Sequence, residues 1–169
     1  MSPTTTIDFL GRIRERLHRL TQRLSFLGPT LARLTVGLVF IGTGWGKLHT
    51  LPDVTEFFTT LGIPAPGFHA RLVACTELIG GLSMLLGLGV RFTGLPLATT
   101  MIVAILTAKR AEIDGLTTLV GFEEWSYLVF FVWIVLAGAG PLSLDHLFGR
   151  RLLDRLIPEK RRDPETVHA

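Results

Sequence analysis

A chain of 169 residues is the length of one domain, but 48% of its residues are apolar and only 18% are charged, against about 25% charged in ordinary soluble domains. The mean hydropathy is +0.46, and the charges crowd towards the two ends and into the short gaps between apolar blocks. The net charge of +3 sits mostly on arginines flanking those blocks, which suits anionic lipid and gives no support to nucleic-acid binding.

The first element is predicted over residues 7–27. Leu10, Ile13, Leu17, Leu20, Leu24 and Leu27 fall at alternating three- and four-residue steps, and Arg12, Arg14, Arg16, Arg19 and Arg23 occupy the remainder. Such a helix lies in the interface plane of a membrane; docking to a partner protein is the other use of such a stripe. An arginine-rich leader with no short apolar core and no small-residue cleavage site argues against a removable signal peptide. Gly28 and Pro29 are expected to break the helix before the first span.

A bilayer core about 30 Å thick is crossed by about 20 mostly apolar helical residues. The first such block is Leu31–Leu48, with Arg33 and Lys47 at its ends. Arg33, Gly37, Phe40, Gly44 and Lys47 step by four, three, four and three, so they share one face, and its glycines let a neighbouring helix approach closely. Phe68–Val90 is the second block. Glu77 lies about 13 Å into it at 1.5 Å per residue, and Gly80, Gly81 and Met84 share its face. Cys75, the one cysteine, has no intrachain disulfide partner and reads as a small core residue. The connecting "GLGVRFTG" follows no strand and is therefore not a phosphate loop. Phe92–Ala108 and Trp125–Leu142 are uncharged; without a polar face they exclude a soluble four-helix bundle.

Beyond Pro141, Ser143 is a candidate N-cap for a second, shorter apolar stripe of Leu144, Leu147, Phe148 and Leu152. The closing "PEKRRDPETVHA" has no apolar pattern and is expected to be a disordered tail. The fold class is therefore all-α: an integral membrane four-helix bundle with amphipathic interfacial helices at its N- and C-terminal ends. Three parts are expected: a cytoplasmic or interfacial helix over 1–28, a four-span domain over 29–148, and a basic cytoplasmic tail over 149–169. The Lys and Arg bias of the flanks places both termini in the cytoplasm of a bacterial-type inner membrane.

With that orientation four spans each bring a charge to the outer side: Lys47, Glu77, Glu124, and Lys109 with Arg110. Alone, Lys47 in "GTGWGKLH" reads as a lysine snorkelling to the interface. Glu77 changes that, because a carboxylate at its depth is costly and faces the bundle interior with a partner. A polar cluster is expected around Lys47 and Glu77, with Glu124 and Lys109 or Arg110 at its rim and Trp45 beside it. Two readings fit it: an ion-pair lock that fixes helix register, and a site for a polar ligand or a quinone head group. A buried ion pair is weak support for stability, which favours the second. On the inner side Arg33, Arg91 and Asp145 are expected to converge, mainly as anchors. His49 and His69 lack the further ligands of a metal or haem site, and none is expected.

The stretches "RLTVGLVFIGTGWGKL", "LGIPAP", "ELIGGLSMLLGLGVRFTGL", "GFEEW" and "AGAGPLSLD", in this order over about residues 30–148, resemble the DoxX family of small four-span membrane proteins. Arg33, Lys47 and Glu77 match polar positions of the family pattern, and Glu124 matches an acidic position before the last span. Relatives often end the third span in a histidine, where this chain has "TAKRAE". The resemblance implies a link to quinone or sulfur redox chemistry.

Three functions are weighed. The first is a membrane subunit of a quinone-linked oxidoreductase, with Lys47 on a quinone carbonyl and Glu77 tuning it or relaying a proton. No cofactor of the chain's own is evident, so a bound quinone or a partner protein would carry the electrons. The second is a non-enzymatic scaffold that docks a redox or stress-response partner. The third, a small transporter, would need a homo-oligomer and an internal repeat that the sequence does not display.

Overall fold

The computed structural model describes residues 26–147, together with 14, 15, 18, 21 and 24 ahead of them. The leader stripe, apart from those few positions, and the tail beyond 147 lie outside the described residues. Among the described residues the helices with both ends described run α1 (Leu27–His49), α2 (Leu51–Thr60), α3 (Pro66–Leu86), α4 (Val90–Thr107), α5 (Leu116–Gly121) and α6 (Glu123–Ala137), with a 3-10 turn at Arg110–Glu112 before α5, and residues 144–147 are helical again. Among the described residues there is no strand. Helices α1, α3 and α4 are long and apolar enough to cross a membrane.

The packing follows from small residues. Gly37 and Gly44 of α1 and Gly81 of α3 face one another so closely that a Cβ at Gly37 would lie 2.9 Å from Leu85 N, and one at Gly81 would lie 2.6 Å from Ile41 N. Both obstacles are backbone, so the helix axes approach as only glycine permits. Gly80 receives Leu97 of α4, and Gly94 of α4 receives Val135 and Ile134 of α6. The ring is closed by Phe40 of α1, whose ring meets Tyr127 and Phe131 of α6 edge-on at 5.1 and 5.0 Å. Inside lie Val36, Phe40, Met84, Leu97, Met101, Phe131 and Ile134. The outer surface is also apolar: Leu38, Ile79, Phe92, Leu106 and Leu136 are all well exposed, a distribution suited to lipid rather than water.

Four expectations change. Gly28 and Pro29 do not precede the first span but form its first turn, with Phe26 in a turn ahead; the missing proline N–H has no helical partner to lose there. The first connection contains a helix, α2, which packs against α3 and whose Leu51, Val54 and Phe58 are half-buried. Cys75 is exposed on the outer face of α3 rather than in the core. The last long helix stops at Ala137, short of Leu142, because Gly138 and Gly140 take φ of 83° and 78°, a region that favours glycine.

Residues 138–145 instead fold beneath the end of the bundle. The buried Arg33 guanidinium donates to Ala139 O through Nη1 and to Leu142 O at 2.6 Å through Nη2. Asp145 accepts from Gly89 N–H at 2.8 Å and donates its own N–H to Gly87 O at 3.0 Å. Arg91 lies against Gly138, where a Cβ would be 3.2 Å from its Nε. The three charges thus reach the same end, each through backbone contacts of its own. Ser143 is the expected cap: its Oγ accepts from His146 N–H at 3.1 Å.

Candidate ligand site

At the opposite end, the face of α1 that carries Arg33 one way carries Lys47 the other. Lys47 lies in the last turn of α1, where a cation complements the helix dipole. Its Nζ meets Glu77 Oε1. Glu77 is 2% exposed. The close seam at Gly44, where a Cβ would lie 2.9 Å from Ala74 O, brings α1 against the turn of α3 that carries Glu77. The second oxygen, Glu77 Oε2, is buried and has no hydrogen-bond partner, and the same holds for Glu124 Oε2.

Both carboxylates line one open cleft of about 140 Å³, with Val39, Phe40, Thr43 and Lys47 of α1, Met101 of α4, and Glu123 and Tyr127 of α6. Glu123 and Glu124 form the first turn of α6, where negative charge is favoured by the unpaired N–H groups. The cleft lies where α1 and α6 face each other, and Val39 on its wall is 37% exposed. A cavity of about 150 Å³ accommodates benzene, so the volume suits a single ring or a comparably small polar group. Among the described residues no group of three or more His, Cys, Asp or Glu is placed to hold a metal ion.

The sequence-derived candidates divide. Lys47, Glu77 and Glu124 come together. Lys109 does not join them: its Nζ lies 3.3 Å from Glu112 Oε1 and 5.4 Å from the centre of the Phe122 ring. Arg110 is exposed in the 3-10 turn. Trp45 is 59% exposed and stacks at 4.5 Å on His49, whose ring Nδ1 bonds Trp45 O. Tyr127, Thr43, Glu123 and Met101 were not among the candidates. Tyr127 follows Glu124 by three residues and is the sole tyrosine, so helical spacing alone marks it; Thr43 precedes Lys47 by four. Met101 carries no such signal.

The DoxX family model matches residues 28–110, which holds Lys47 and Glu77 but not α6. The chain is 32% identical over 121 residues to the "Putative oxidoreductase CatD" of Bacillus subtilis (strain 168), covering 70% of this chain and 85% of that protein. It is 26% identical over 130 residues to the "Inner membrane protein YqjF" of Escherichia coli (strain K12), covering 77% of this chain and 98% of that protein. No solved structure matches the chain.

Proposed function

The chain belongs to the DoxX family, and on that premise we propose that it is a four-helix bundle of a bacterial inner membrane that serves a quinone- or sulfur-linked redox system as a subunit or accessory. Helices α1, α3 and α4 have the length for three crossings. The 15 residues of α6 cover about 22 Å, and residues 138–142 complete the fourth. Both termini then lie in the cytoplasm, as the arginine-rich flanks favour, and the cleft opens in the outer half.

The observation that carries the proposal is Glu77. A carboxylate 2% exposed in the apolar interior is costly. One oxygen on Lys47 and the other buried without a partner beside an open cleft is a poor design for a lock and a good one for a binding group. In the cleft, Lys47 Nζ has donors beyond the one Glu77 uses and would hold a ring oxygen or an anionic sulfur group. Glu77 Oε2 would accept a proton or a hydroxyl. Tyr127 and Phe40 wall off the ring. A quinone, when bound, supplies the two-electron chemistry that these side chains lack, and a partner protein supplies or takes the electrons. One relative is itself named a "Putative oxidoreductase".

Native mass spectrometry with quinone extraction tests this on protein purified in mild detergent, wild type beside Lys47→Met. Quinone retained by the wild type and lost from the variant is the expected result. Quinone absent from both, with equal folding by circular dichroism, would overturn it and favour a scaffold.

A further inference from the structure

We infer that the cleft opens sideways into the bilayer and takes its ligand from the lipid, as a single-ring head that trails an apolar tail; the inference rests on the quinone reading above and deepens it. Its ground is the course of the cleft along α1. Val39, Thr43 and Lys47 line it at four-residue steps, so they form one row. Lys47 lies in the last turn of α1, whereas Val39 stands at the middle of its 23 residues. The row therefore runs about 12 Å from the outer end of the helix towards the bilayer centre, at 1.5 Å per residue. At that depth Val39 is still 37% exposed. Each residue turns a helix by about 100°, which sets Val39 on the same exposed arc as Thr35, Leu38, Gly42 and Gly46, the flank of the bundle. Thr43 is exposed on that arc too. Its hydroxyl donates to Phe40 O at 3.2 Å, so it can face lipid without an unmet donor. Inward of Val39 the wall is closed, since Phe40 is buried and packs edge-on against Phe131.

The lining changes character along the same line. Lys47 ends α1, and Glu123 and Glu124 begin α6, so the charges gather at the outer end. Val39, Phe40 and Met101 supply an uncharged remainder. A few placed polar groups in an otherwise apolar pocket fix a ligand's orientation. Here they hold the polar end of a ligand near the headgroups and leave its apolar end at mid-bilayer. Size gives the second argument. The cleft of about 140 Å³ has room for one ring and none for a chain. A tail must leave past Val39 and Thr43 and lie in the lipid. The bilayer also concentrates such a ligand at the opening, because every CH₂ of the tail favours the membrane over water.

The test places spin labels on the whole protein in phospholipid vesicles, in a Cys75→Ala background. Val39→Cys, Leu38→Cys on the flank and Asp53→Cys on α2 are labelled one at a time. Collisions with oxygen, which dissolves in lipid, are compared with collisions with a neutral nickel chelate, which stays in water. The labels at Val39 and Leu38 are expected to meet oxygen more often than nickel, and the label at Asp53 the reverse. Decylubiquinone, a ring with a ten-carbon tail, should then remove most of the oxygen collisions at Val39 and leave those at Leu38 unchanged. Nickel dominating at Val39 would overturn the sideways opening whatever the ligand. Decylubiquinone retained by the protein on extraction, yet without effect at Val39, would overturn the path of the tail and leave the quinone site standing. Decylubiquinone neither retained nor felt at Val39 would overturn the quinone reading and, with it, the ligand inferred here. Should the Val39 variant not fold, Thr43→Cys carries the same measurement from the same row.

Discussion

Replacing Gly44 with alanine is expected to damage stability and site together. A Cβ at Gly44 would lie 2.9 Å from Ala74 O and from Leu78 Cα, and closer still to Leu78 N, where ordinary contact begins at 3.4 Å. All three atoms are backbone of α3, so no side chain can step aside. The helices must part by at least about 0.5 Å, and a gap of 0.5 to 1 Å forfeits about a quarter to a half of the dispersion attraction across a seam. Overpacking of this kind costs about 1–3 kcal/mol, and the upper part of that range is expected because the obstacle is rigid. Glu77 lies between Ala74 and Leu78 in sequence, and Lys47 is three residues from Gly44, so the same displacement separates the ion pair. Gly42→Ala is the control: nothing lies within 4 Å of its Cβ position, and alanine in a helix gains about 0.5–1 kcal/mol over glycine. Thermal unfolding in detergent, followed by circular dichroism at the helical band, measures both. The Gly44 variant should melt lower by about 5 °C or more and the Gly42 variant no lower than wild type. Gly44→Ala melting at or above wild type would refute the close-seam argument.

Lys47→Met strands the buried Glu77 and is expected to cost about 3 kcal/mol in denaturant titration in mixed micelles. Lys47→Met with Glu77→Met should recover most of it, and no recovery would mean that the two charges are not coupled. Gly87→Ala places a side chain at φ 67°, with Ser143 Cβ 2.6 Å and Arg33 Nη1 2.8 Å from its Cβ. The left-handed backbone alone costs about 1–2 kcal/mol, and hydrogen exchange over residues 139–147 should quicken first. Orientation is read in a Cys75→Ala background: a cysteine at Asp53 should react with a membrane-impermeant maleimide in intact cells, and one at Leu147 only after lysis. The reverse pattern would invert the proposed topology.

How much of this was legible in the sequence differed by element, for physical reasons. The shared face of Arg33, Gly37, Phe40, Gly44 and Lys47 was plain because helical period alone decides which residues face one way. The meeting of Lys47 with Glu77 followed from the cost of a charge at depth. The end of α6 was hidden because hydropathy continues through "AGAGPL" while the backbone does not: Gly138 and Gly140 turn the chain before the apolar run ends. Lys109 was assigned to the cluster by its side of the bundle, but Glu112 three residues on and Phe122 offered nearer partners. The amphipathic steps of Leu51, Val54 and Phe58 lay unread between the first two blocks, masked by Pro52, which is tolerated in a first turn. The cleft itself was not legible, since orphaned oxygens are a property of packing, not of spacing.

Arg33 ties α1 to the segment after α6, and Asp145 ties that segment to the turn between α3 and α4. Both ties lie at one end of the bundle. Towards the other end α1 and α6 meet through the edge-on rings of Phe40 and Tyr127, both of which line the cleft. The pair is therefore tied by hydrogen bonds at the arginine and by ring packing beside the cleft. Substitutions at Arg33 or Gly87 are expected to loosen the hydrogen-bonded end first, while the ring contacts beside the cleft stay in place.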